Sequence, residues 1–207
     1  MPEESKLLKT KILRFAQNDK HKRILMGAHC ALSKYKGDGQ GMKKLHLHQL
    51  KAEKPQFEQI IAHYITDESV KEPLSHFAQW LKANDITAEW HDIGEQPALA
   101  WIIKSRGKKH FLTWGGGDSF SIMLRGLLSD DYQAFICEND LQDFILENVQ
   151  RCARADGGHC SNCDLPPDVP GVEKVLFGKE VTGLCCGKFV TFDNPSGEVI
   201  EQIKKLL

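Results

Sequence analysis

No run of about eighteen apolar residues occurs in this chain, so no segment reads as a helix that crosses a bilayer. The first residues hold no apolar stretch ahead of a small-residue cleavage site, and no secretory signal is expected. A phosphate-binding loop is also missing. Gly115-Gly116-Gly117-Asp118 has neither the Lys-Ser/Thr pair nor the helix start that such a loop requires, and it reads as a hairpin turn. No Ser/His/Asp order, carboxylate pair or nucleotide motif stands out, so the sequence names no reaction. Charge of one sign is lacking over the whole, where the total is −1. That total hides an uneven split. Residues 1–41 carry nine Lys/Arg against four Asp/Glu, a net of +5; residues 42–207 carry 18 against 24, a net of −6. An acidic body has no general attraction for nucleic acid.

What is present is cysteine, and it is bunched. Five of the seven cysteines fall between Cys152 and Cys186, as Cys152-x7-Cys160-x2-Cys163-x21-Cys185-Cys186, with His159 against Cys160. Without an export signal these point to a reducing cytoplasm, and there to metal ligands or free thiols before disulfides. A Cys-x-x-Cys turn aims two thiolates at one tetrahedral ion, and a hairpin can bring up the rest at roughly 2.3 Å. The predicted metal ligands are Cys152, Cys160, Cys163, Cys185 and Cys186, with His159 in reserve and Zn²⁺ as the structural ion. A second Cys-x-x-Cys is missing. Two other readings stay open: a thiol enzyme or redox sensor using Cys160 and Cys163, and reduced cysteines buried as small hydrophobes. Cys185-Cys186 also suits a soft-metal chaperone. Burial fits Cys137, which continues the apolar run Phe135-Ile136, but not Cys160 and Cys163, which lie in a polar Gly- and Asp-containing loop. Lys174, Lys179 and Lys188 are near enough in sequence to offset the charge of a thiolate site.

The remaining pattern predicts one α+β domain over 42–207, a mainly antiparallel sheet packed on helices, with a cysteine-rich segment over 151–190. Residues 42–53, with His46 and His48, read as an edge strand or loop. Phe57, Ile60, Ile61 and Tyr64 recur at helical spacing after Pro55. Residues 67–72 read as a charged linker, with a second helix following Pro73 and ending near Asn84. Then the period falls to two. Strands are expected near 86–93, over 98–104, over 109–114 and from Phe120, joined by Arg106-Gly107 and the glycine turn. Ser129 is expected to cap one helix, and another runs over about 140–150. Strands over 172–176 and 188–192 follow, and Asn194-Pro195-Ser196 stops the last of them and caps a final helix. The sheet residues Trp101, Ile103, Phe111, Ile122 and Leu124 are expected beneath the helices that hold Phe144 and Ile200. Trp90, Trp101, Trp114 and Phe120 are candidate walls for a small-molecule ligand, or plain core.

The strand pair from Trp101 to Trp114, the Cys160-x2-Cys163 loop, Phe177-Gly178-Lys179-Glu180, and Cys185 through Phe192-Asp193-Asn194-Pro195 carry a resemblance. Residues 86–207 resemble uncharacterised bacterial cysteine-tailed small α+β proteins, broadly of the YdhG or GyrI-like kind. The resemblance implies a fold and a cysteine-bearing tail, and no reaction. Separately, Ile12-Leu13-Arg14-Phe15-Ala16-Gln17-Asn18-Asp19-Lys20, preceded by Glu3-Glu4-Ser5, resembles the translated product of a dispersed intergenic repeat of bacterial genomes. That implies an upstream mis-start, with Met42 as the natural first residue. Residues 1–41 also have too little apolar surface to offset the entropy of ordering them, so a disordered extension is expected. A chain beginning at Met42 is therefore predicted to melt within about 2 °C of the full chain, a small fraction of the change that losing a core contact brings. A larger drop in thermal midpoint would show that the extension belongs to the fold.

Overall fold

The computed structural model describes residues 40–154, 166, 168–187 and 189–207, the stretch 40–46 as backbone alone. Helices α1 (Gln40–Glu53), α2 (Phe57–Tyr64) and α3 (Glu68–Ala83) come first. Strands β1 (Glu89–His91), β2 (Leu99–Ser105), β3 (Lys108–Gly116) and β4 (Ser119–Arg125) form a meander. Helices α4 (Asp130–Glu138) and α5 (Gln142–Asn148) lead to the hairpin β5 (Val172–Leu176) and β6 (Lys179–Leu184), then to β7 (Phe189–Asp193) and α6 (Gly197–Leu206). The order β1-β2-β3-β4-β7 is antiparallel throughout, and β5-β6 makes a second, two-stranded sheet. The class is α+β. Among the described residues no helix is long and apolar enough to cross a membrane.

Turn chemistry sets the meander. Arg106 and Gly107 both take positive φ, at 47° and 71°, the pair that a tight primed turn between strands demands. The glycine turn behaves as expected, with a bulge between Trp114 and Gly116. It also does a second job. The Asp118 carboxylate accepts the amide hydrogens of Thr66 (2.6 Å) and Asp67 (2.9 Å), pinning the entrance to α3. Those bonds, Asp67's first, hold the Asp118 carboxyl below the usual carboxylate range.

The pleat divides the sheet into two faces. Leu99, Trp101, Ile103, Leu112, Trp114, Ile122, Leu124 and Phe192 join residues of every helix in one core. At its centre Phe57 lies 5.9 Å from the Trp101 ring and 5.4 Å from the Phe120 ring. The Trp101 indole N–H donates to the Pro55 carbonyl at 2.9 Å, so the one polar atom of a fully buried ring is satisfied. Ile200 lies in this core, and Phe144 stacks on Phe192 at 5.1 Å.

Several expectations are corrected. Phe111 is not beneath the helices: it pairs with Ile102 and Met123 in register and shares the opposite face with them and Phe189. One step along a strand changes face. Residues 42–53 are neither strand nor loop but most of α1, whose Leu47 and Leu50 point into the core. The charged stretch 67–72 is not a linker. Asp67 caps α3 through the Ser69 amide (2.9 Å), and Pro73 lies inside that helix, where it forgoes one backbone hydrogen bond. Ser129 does occupy the cap position of α4, yet its hydroxyl donates to the Gly126 carbonyl instead of accepting from the helix. The stretch from Gly178 to Gly183 is largely strand β6. Its partner turn holds Phe177 and Gly178 at φ 53° and 75°, again a primed pair.

Two outcomes follow. Phe57→Ala is expected to lower unfolding free energy by about 3–5 kcal/mol, read from the urea midpoint, because the cavity opens between two rings. His110 is fully buried on β3, its Nδ1 accepting the Arg125 amide at 3.2 Å. Burial, opposed by a Ser105 backbone hydrogen bond, pulls its pKa down to about 4 from 6.5. The unfolded chain therefore takes up this proton below 6.5 while the folded chain refuses it until about 4. The contribution is complete above that window and is lost as pH falls through it, by about 3 kcal/mol at most. His110→Leu is predicted to flatten the acid side of the stability profile between those two values. An unchanged slope would mean His110 is charged in the fold.

Candidate cysteine site

After α5 the chain does not enter a helix or strand of its own. It runs along the end of β6 and the start of β7. Val149 bridges Val190 and, two residues on, Arg151 bridges Leu184, both antiparallel. The Gln150 amide donates to the Phe189 carbonyl at 3.0 Å, and the Gln150 carbonyl accepts from the Cys185 amide at 2.9 Å. The Cys152 amide donates to the Gly183 carbonyl at 2.7 Å, and the Arg151 guanidinium to the Thr182 carbonyl at 2.6 Å. These bonds join the two-stranded sheet to the five-stranded one.

They also place two cysteines. Arg151 and Leu184 are opposite one another, so Cys152 and Cys185, each one residue further on, stand diagonally across the bridge. Side chains in that relation have Cβ atoms roughly 7–8 Å apart or somewhat less. Both cysteines are buried, at 2 % and 3 % exposure, and Cys186 is half-buried. Gly171 closes the pocket from the side. A Cβ there would lie 2.7 Å from the Leu184 carbonyl oxygen and 2.9 Å from the Cys152 Cβ, and its φ of +101° is one that only glycine adopts freely.

Of the predicted ligands, Cys152 and Cys185 flank the Arg151–Leu184 bridge, and Cys186 follows in the chain. His159, Cys160 and Cys163 lie outside the described residues. Among the described residues no group of three or more His, Cys, Asp or Glu comes together. The donor set in view is sulfur alone in apolar surroundings, which fits a soft or borderline ion better than Mg²⁺ or Ca²⁺. Cys137 departs from expectation: it is exposed at the end of α4, because Tyr132 and Ile136 take the inward positions of that helix. Lys174 and Lys179 turn away from the cysteines. The Lys174 ammonium meets the Leu128 carbonyl (2.6 Å) and Asp130 (3.1 Å), and Lys179 meets Asp143 at 3.0 Å. Lys188 lies outside the described residues.

Two further turns of the C-terminal part hold structural posts near this site. Phe177 and Gly178 make the β5–β6 turn. Asn194, at φ 45°, donates its amide to the Phe120 carbonyl and accepts the Phe120 amide on Oδ1, both at 2.8 Å. Ser196 then caps α6 by accepting the Val199 amide at 3.4 Å.

The aromatic candidates for a ligand wall pack into the protein. Trp101, Trp114 and Phe120 are core at 0–2 % exposure, and Trp90 packs edge-on against Trp101. A cleft of about 410 Å³ lies instead between α1 and residues 94–97, lined by Leu47, His48, Lys51, Gly94, Glu95, Gln96 and Pro97. Sequence reasoning missed it because it needed α1. Lys51 donates to the Gly94 carbonyl at 2.6 Å and also to that of Gln96. Burial draws its ammonium below the usual lysine range, against the pull of Asp92 and Glu95.

Gly171→Ala is the sharpest probe of the cysteine pocket. It is expected to destabilise the protein by about 2–4 kcal/mol, from a strained φ and an overpacked contact together. Thiol labelling of Cys152 and Cys185 should accelerate in the folded state. Labelling at the parent rate would separate the pocket from the glycine.

The chain matches no protein-family model, no curated protein and no solved structure.

Proposed function

We propose that this chain is a cytoplasmic small-molecule-binding or sensing domain whose cysteine-rich segment is closed by a structural zinc ion. The ligands are drawn from Cys152, Cys160, Cys163, Cys185 and Cys186. The observation that carries this reading is the buried, diagonal pair Cys152 and Cys185. They flank a joint between two sheets, and Gly171 packs against Cys152. Four thiolates held together would need a cation to balance them, and zinc is the simplest such partner. Once bound, zinc supplies folding free energy and no chemistry of its own, about 10–16 kcal/mol in zinc-finger peptides at neutral pH.

The chain's own residues do the rest. Gly183 and Gln150 fix the backbone on which the two described thiols are mounted. Gly171 leaves room for the Cys152 side chain. The small-molecule part of the reading is supported by the cleft beside α1, whose volume falls in the range of ligand pockets and whose lining mixes Leu47 and Pro97 with His48, Lys51 and Glu95. The alternative is a thiol enzyme or redox sensor in which Cys160 and Cys163 react and the ion is absent.

Metal analysis of untagged protein purified under reducing conditions separates the two. The structural-site reading expects about one zinc per chain, released by Cys160→Ser or Cys185→Ser. The melting temperature should fall by about 5 °C or more, while far-ultraviolet dichroism from the central sheet persists. Metal-free protein whose melting is unaffected by chelator, and whose Cys160→Ser variant loses only thiol reactivity, would overturn that reading in favour of the redox one.

A further inference from the structure

We draw no further inference here: the strongest candidate, the face of the central sheet turned away from the helices around Phe111, Met123 and Phe189, carries nothing because nothing among the described residues shows what covers it.

Discussion

The short stretch from Val149 to Cys152 is the joint on which the candidate site depends. It gives one backbone donor to β7 and then turns to exchange hydrogen bonds with β6. The Gln150 amide donates to Phe189 of β7 and its carbonyl accepts from Cys185 at the end of β6, so one residue ties the two sheets together. Each bond has a modest net value of about 1 kcal/mol, but the groups are buried, and leaving one unpaired costs more. The joint therefore fixes where β6 lies, and with it where Cys185 stands relative to Cys152.

Side-chain ties reinforce this placement from below. Lys174 and Lys179 fasten the β5–β6 hairpin to α4 and α5 through Asp130 and Asp143. Both carboxylates are largely solvated, so these pairs guide orientation more than they stabilise. The main contribution is apolar: Leu176, Val181 and Leu184 of the hairpin share the core with Ile136 and Ile145 of the two helices. With the lysines occupied there, the negative charge of clustered thiolates would have to be balanced by the ion and by backbone amides, not by those two side chains.

Much of the fold was legible because local chemistry and tertiary structure agree. Arg106-Gly107 closes a tight hairpin, Gly115-Gly116-Gly117 permits a bulged one, and Ser196 caps the last helix. Disagreements arose where neighbours outweighed local pattern. Residues 42–53 alternate like a strand at Leu45-His46-Leu47-His48, yet Leu47 and Leu50 find a helical face to bury. Pro73 argued for a helix start, but Asp67 and Asp118 together place the start earlier, and helix packing offsets the bond that proline omits. The strand β6 was hidden because Gly178 precedes it, Gly183 lies within it and half its side chains are exposed.

What the sequence by itself determined is the α+β class, the antiparallel meander and the bunching of cysteine near the C-terminus. Each rests on periods and turns that act over a few residues. Only the tertiary structure decided which face Phe111 takes, that Trp101 and Trp114 are buried in the core, that Cys137 is exposed, and that Cys152 stands diagonally across from Cys185. Those outcomes turn on register and on contacts between segments up to dozens of residues apart. A shift of one residue in pairing, invisible in composition or spacing, moves a side chain from one environment to its opposite.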